Sequence, residues 1–204
     1  MAFFDDIDEQ ETVGFESVHS GAYVCRVTSA EFTKTKKGKA CILLLWDIAE
    51  GPFEGEYSRD WYDNKPFKHS IYVMTDGSAL GLVKHIGSVI DKSTPGLRVL
   101  DALGMYIDPK ETPEHKARAK EYLMKALPTA KLGIVLQERL YTYQGKNQSE
   151  ANVMRYVTVD DVRSGELEIP ETLDERTATD TAQAAASTSS FDGDIAVSDS
   201  DIPF

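Results

Sequence analysis

Six consecutive residues, Cys41-Ile42-Leu43-Leu44-Leu45-Trp46, form an unbroken apolar run. A strand with one face in water alternates apolar and polar side chains, whereas a strand covered on both faces does not. The segment from Ala40 to Ala49 is therefore expected to be a strand at the heart of the fold. Its neighbours point the same way. Gly21 to Thr33 is rich in β-branched and aromatic residues and runs into Lys36-Lys37-Gly38-Lys39, a hairpin turn signal. After the apolar run, Gly51-Pro52-Phe53-Glu54-Gly55 supplies a second turn. Glu56 to Tyr62 and Phe67 to Met74 then read as a third strand or strand pair, broken at Asp63-Asn64-Lys65-Pro66.

The period changes in the middle of the chain. Ala79, Leu82, Val83, Ile86 and Ile90 recur at three- and four-residue steps behind Ser78, which is expected to be the N-cap. A short helix is expected near Leu97 to Leu103. Thr112-Pro113-Glu114 combines an N-cap, a proline at the first helical position and a first-turn acid, which predicts a helix over 113–126. Alternation then resumes. Leu132, Ile134, Leu136 and Leu140 lead to a hairpin around Gly145-Lys146-Asn147, and Val153, Val157 and Val159 mark the return strand. Three strands, a helical insertion at 78–127 and two more strands is the order of a five-stranded Greek-key OB barrel. Other small barrels fit the same order. The expected class is mainly β, an OB-like barrel with the helical insertion between strands three and four.

At 204 residues the chain has room for one domain with tails. No apolar run approaches the ~20 residues that span a bilayer, so no membrane partner is expected. The opening Met1-Ala2-Phe3-Phe4-Asp5-Asp6 is acidic where a secretory signal is basic, and a cytoplasmic location is the expectation. Cys25 and Cys41 lack metal-site or redox-motif spacing and read as reduced, buried thiols. The net charge is −12, but it is unevenly spread: residues 1–12 hold five acids and no base, and residues 165–204 hold ten acids and one arginine. Residues 13–164 are therefore left with a net charge of +2. Beyond Gly165 the hydrophobic periodicity stops. Thr177 to Ser190 offers too little apolar surface to offset the entropy of ordering. The expected domains are an acidic arm over 1–20, a β-rich body over 21–165 and a disordered acidic tail over 166–204.

The tail ends in a motif. Asp199, Asp201, Ile202, Pro203 and Phe204 resemble the C-terminal tip of bacterial single-stranded DNA-binding proteins, with Ser200 standing where that family usually carries a third acid. The body is similar to phage-encoded, OB-fold single-stranded DNA-binding proteins. That likeness rests on Gly21-Ala22-Tyr23, Lys36-Lys37-Gly38, Gly51-Pro52-Phe53-Glu54-Gly55, and Val135 to Tyr141 leading into Val159-Asp160-Asp161-Val162-Arg163-Ser164-Gly165. The resemblance implies a non-catalytic protein that coats single-stranded DNA during replication, recombination or repair in a bacterial host cytoplasm. It also implies a tip that recruits partner enzymes of those processes.

Binding single strands without reading sequence takes cations that follow phosphates and aromatic faces on which bases stack. Lys34, Lys36, Lys37 and Lys39 cluster on the first hairpin. Arg59, Trp61, Tyr62, Lys65, Phe67, Lys68 and Tyr72 interleave aromatic and basic side chains before the helical insertion, and Arg139, Tyr141, Tyr143, Lys146, Arg155 and Tyr156 do so over the last hairpin. Barrel aromatics are more often core than platform. Trp46, inside the apolar run, reads as core, whereas Trp61, flanked by Arg59, Asp60 and Asp63, reads equally well as a stacking surface. Adjacent strand residues face opposite ways, and the sequence leaves the register open. Phe204 offers a ring and a free carboxylate that an apolar pocket edged by basic side chains can capture.

Catalytic signals are sparse. His19, His69, His85 and His115 are scattered, and no phosphate-binding loop, zinc spacing or nucleophile elbow appears. Acid pairs such as Asp160-Asp161 carry the ligand type that Mg²⁺ takes, but adjacent strand residues face opposite ways and no second acidic cluster accompanies them. No cofactor, metal or enzymatic activity is expected. Two rival readings are an interaction protein that imitates the bacterial tip without binding DNA, and a metal-dependent DNA-processing enzyme. The helical insertion has no assigned role, and a surface between copies of the chain is left open there.

Overall fold

The computed structural model describes residues 18–58, 69–143 and 146–176. Its frame is a curled antiparallel sheet built from β1 (Gly21–Lys34), β2 (Ala40–Ile48), β3 (Ser70–Met74), β4 (Lys131–Tyr143) and β5 (Lys146–Val157). They pair in the order β3-β2-β1-β4-β5, which is the order of an OB barrel opened between its third and fifth strands. The protein is mainly β and OB-like, as the sequence led us to expect.

The long first strand makes the curl possible. Its opening residues pair with β4, from Gly21 opposite Leu136 to Arg26 opposite Lys131, and residues from Cys25 to Lys34 pair with β2. Between Val27 and Ser29 the register with β2 slips. A bulge of this kind bends a strand and increases its twist, letting one strand serve two parts of a curved sheet. The apolar run resolves into two faces. Ile42, Leu44, Trp46 and Ile48 are fully buried and point inward, while Leu43 and Leu45, on the other face, are half-buried.

Three helices form the insertion: α1 (Leu80–Ser93), α2 (Val99–Ile107) and α3 (Pro113–Ala126). Val83, Ile86, Val89 and Ile90 give α1 an apolar face that joins the core, and the helix packs against β3, β4 and β5. It thereby fills the side of the barrel that the sheet leaves open. The Asp91 carboxylate accepts hydrogen bonds from the Val99 and Leu100 N–H groups, at 2.6 and 3.0 Å, which satisfies the start of α2 from a neighbouring helix. Thr112 caps α3 through its hydroxyl, which accepts from the His115 N–H at 3.2 Å.

Several expectations are corrected. Glu56–Ser58 is a 3-10 turn, not a strand. Ser78 does not cap α1: its N–H and hydroxyl both donate to the Asp76 carboxylate, and the helix begins after Ala79 without a side-chain cap. Val159 does not prolong β5 but opens a helix, α4 (Val159–Ser164). Thr158 and Asp161 form a reciprocal capping box there, and Gly165 ends the helix in the left-handed region at φ 70°. The body also extends beyond both limits expected for it. Val18 is buried in the core, and β6 (Leu173–Asp174) pairs in parallel with Arg139 and Leu140 of β4. The remainder of the tail, 177–204, and the arm through residue 17 lie outside the described residues.

Candidate nucleic-acid interface

The outward face of β1, β2 and β3 is set by register. Tyr72 of β3 stands opposite Leu43 of β2, Ser70 opposite Leu45, and Met74 opposite Cys41. On the other flank of β2, the same residues meet Glu31, Ser29 and Thr33 of β1. Ile71 and Val73 point into the core, so Tyr72 points out and is 46% exposed. An exposed ring beside two half-buried leucines makes an apolar surface on the β2–β3 side of the sheet, where OB barrels use strands two and three to hold oligonucleotides.

The β1–β2 hairpin carries the positive charge. Thr35 organises it: its N–H donates to the Lys39 carbonyl at 2.9 Å, its hydroxyl accepts from the Lys39 N–H at 3.2 Å, and its carbonyl accepts from the Gly38 N–H at 2.8 Å. Gly38 takes φ 78°, a conformation that disfavours any side chain there. Lys34, Lys36, Lys37 and Lys39 are all exposed on this turn and its flanks. Among the described residues no carboxylate forms an ion pair with Lys34, Lys37 or Lys39. Asp76 lies within electrostatic reach of Lys39; its carboxyl is held below the usual range, first by its bonds from Ser78 and to a lesser extent by Lys39.

The β4–β5 hairpin is less available than its sequence suggests. Arg139, Tyr141 and Tyr143 share one face by alternation, and Tyr143, opposite Lys146, is 61% exposed. Arg139, however, is engaged by Glu150 at 3.1 Å and Glu175 at 2.6 Å, and its guanidinium lies 5.3 Å from the centre of the Tyr141 ring. The Arg155 guanidinium donates to the Glu168 carbonyl at 2.6 Å. Tyr156 packs against the core, where burial raises its phenol pKa. Arg139 and Arg155 thus engage the segment that follows α4. Tyr141 and Tyr143 are the members of the group with ring surface toward solvent.

Residues 5–76 match the family model described as "Protein of unknown function (DUF669)". The match is shorter than half the chain, but it takes in β1, β2 and β3 whole and stops two residues past β3, before the helical insertion. It thus includes the lysine hairpin and the Tyr72 face. A comparison with curated proteins gives no match.

Trp46 is core, as its surroundings in sequence suggested: it is fully buried and meets the Tyr57 ring edge-on at 4.9 Å. Arg59, Trp61, Tyr62, Lys65, Phe67 and Lys68 lie outside the described residues, as do Asp199, Asp201, Ile202, Pro203 and Phe204 of the tip. Asp47, 1% exposed, accepts from the Ile48 N–H at 2.8 Å, from the Tyr57 N–H at 3.0 Å and from the Ser58 hydroxyl. His69 stacks on Tyr57 with ring centres 5.5 Å apart. Asp47 thus holds the 3-10 turn Glu56–Ser58 against β2, and His69 packs on the same turn. Sequence reasoning missed Asp47 because an acid at the end of an apolar run reads as the strand's exit into water. It missed Leu43 and Leu45 as surface because their orientation depends on register.

Among the described residues no group of three or more His, Cys, Asp or Glu side chains is arranged to hold a metal. Asp161, half of the acid pair that suggested Mg²⁺, is committed to the α4 capping box. Cys25 and Cys41 are buried free thiols. No helix among the described residues is long and apolar enough to cross a membrane.

Proposed function

We propose that this chain is a non-catalytic single-stranded DNA-binding protein that holds DNA across the outward face of β2 and β3, with the lysine hairpin steering phosphates. The observation that carries this reading is the pairing of an exposed Tyr72, set among Leu43 and Leu45, with four exposed lysines on the adjoining β1–β2 hairpin. Aromatic stacking supplies binding that tolerates any base, and the lysines supply a salt-sensitive attraction to the backbone. Tyr141 and Tyr143 extend the surface. The acidic tip, Asp199, Asp201, Ile202, Pro203 and Phe204, recruits enzymes of replication, recombination or repair, a role supported by its resemblance to the tips of bacterial single-stranded DNA-binding proteins. A phage gene product working in a bacterial cytoplasm suits both features.

The test is a titration of the full chain with a poly-dT oligonucleotide and a matched duplex at two salt concentrations, followed by fluorescence anisotropy and gel shift. Preferential binding of the single strand, weakened by salt, is the expected result. Tyr72→Ala should lose roughly 1–3 kcal/mol of that binding with little change in melting temperature, because its ring is half in solvent. Absence of binding, or equal affinity for duplex, overturns the proposal.

A further inference from the structure

An open pocket of about 470 Å³ lies at the base of the lysine hairpin, where the end of the sheet meets the helical insertion. Its lining includes Phe32 and Lys34 of β1, Tyr106 of α2, and Thr75 just past β3. Phe32 and Tyr106 form an edge-on aromatic pair with ring centres 4.9 Å apart, and both are half-buried. Lys120 of α3 places its ammonium 5.0 Å from the centre of the Phe32 ring. The site thus brings together two aromatic rings held by packing, cations from two separate elements, and the Thr33 and Thr75 side chains.

We infer that this pocket is a nucleotide subsite, which takes one base of a bound single strand against Phe32 and Tyr106 while Lys34 and Lys120 meet the flanking phosphates. The inference rests on the DNA-binding reading above and deepens it, because it gives the helical insertion a part in binding. Charge argues for this occupant: Lys34 lines the pocket, Lys120 sits over the Phe32 ring, and Lys36, Lys37 and Lys39 stand on the same hairpin. Asp76 lies within electrostatic reach of Lys39 and Cys41. Position argues for it too. Thr75 is three residues beyond Tyr72, roughly 10 Å along an extended strand, so a strand lying on the β2–β3 face reaches the pocket by continuing over the end of the sheet. Half-buried rings already held by packing are suited to stacking a base, because little side-chain freedom is lost on binding.

The experiment uses the full chain and a poly-dT oligonucleotide bearing single 5-iododeoxyuridine substitutions. It combines ultraviolet crosslinking, mapped by mass spectrometry, with affinity measurements on Tyr106→Leu, Tyr106→Phe and the exposed α2 control Met105→Ala. Crosslinks at Phe32 or Tyr106 are expected, together with a loss of roughly five- to a hundredfold for Tyr106→Leu and near wild-type binding for the other two. If Tyr106→Leu melts well below wild type, the paired Lys34→Gln and Lys120→Gln change and the crosslink map decide instead. Wild-type binding with no crosslink at either ring, and no loss in the variants, overturns the subsite and leaves the DNA-binding proposal standing. Tighter DNA binding by Tyr106→Leu also overturns it, by showing that the pocket holds a competing segment such as the acidic tail. If the wild-type chain binds no single strand at all, both proposals fall.

Discussion

Gly133 and His69 show how single positions tie the barrel to its flanks. A β-carbon on Gly133 would lie 2.5 Å from the Val162 side chain, 2.7 Å from that of Val157 and 2.9 Å from the Thr158 carbonyl oxygen. Only a glycine lets α4 and the end of β5 sit this close to β4. Gly133→Ala should lower stability by about 1–3 kcal/mol, as overpacking commonly does, and a denaturant titration with unchanged slope checks it. His69 makes a different prediction. Burial pushes its imidazole below the ordinary 6.5, and the Asp47 charge opposes that only in part. The folded state therefore keeps His69 neutral at pH values where the unfolded chain takes up a proton, and stability should fall as pH drops below about 6.5. Unfolding midpoints at pH 7 and pH 5 should differ less in His69→Gln than in wild type; an equal difference would remove His69 from the account. Neither feature was legible in the sequence, because both depend on which elements press against each other. By contrast Trp46 was legible, since an indole inside a six-residue apolar run has nowhere polar to go.

Elements were read well where one period ran long enough to settle the matter. The strand expected over Ala40 to Ala49, the helix expected behind Ser78 and the Thr112-Pro113 start of α3 all appear in the structure within a residue or two of their expected places, although Leu82 of the expected α1 stripe is 44% exposed and the apolar run buries one face more fully than the other. Short elements were read poorly. Val153, Val157 and Val159 suggested one continuing strand, but β5 bulges opposite Val135 and Leu136 and ends at Val157. The signal that outweighs valine spacing is local: a threonine followed three residues later by an acid, then Gly165, is a cap, a turn of helix and a stop. Thr158→Ala removes the hydroxyl that accepts from the Asp161 N–H at 3.1 Å and donates to its carboxylate at 2.7 Å. A loss of about 1 kcal/mol is expected. It should be accompanied by faster amide exchange across Val159–Ser164, since α4 has little else within its six residues to hold it in helical form. Protection unchanged across that segment would mean that packing on β4, not the cap, maintains the helix.

At the scale of the molecule, the boundary between body and tail matters most, and composition misplaced it. Apolar periodicity stops near Gly165, yet the chain returns to the barrel and covers the part of β4 that β1 leaves unpaired. Gln137 donates to the Glu171 carbonyl at 2.9 Å, Thr172 bonds Glu138 at 3.3 Å, and Glu175 completes the double engagement of Arg139. These contacts join residues about 34 to 36 apart in sequence and are polar, so hydrophobic patterning carries no trace of them. Two truncations separate the resulting expectations. Ending the chain after Arg176 removes 177–204, which holds five acids and no base, while keeping every contact just named. Melting temperature should stay near that of the full chain, and affinity for single-stranded DNA should rise, most at low salt, because a segment of like charge to DNA no longer competes for the lysine hairpin. Ending it after Gly165 removes β6 as well, leaves Arg139 with Glu150 alone and uncovers the edge of β4, for which a stability loss of about 1–3 kcal/mol is expected. Thermal melts of both, with oligonucleotide affinity of the longer one at two salt concentrations, check the pair: equal melting temperatures would make β6 dispensable, and unchanged affinity would remove the tail from competition with DNA.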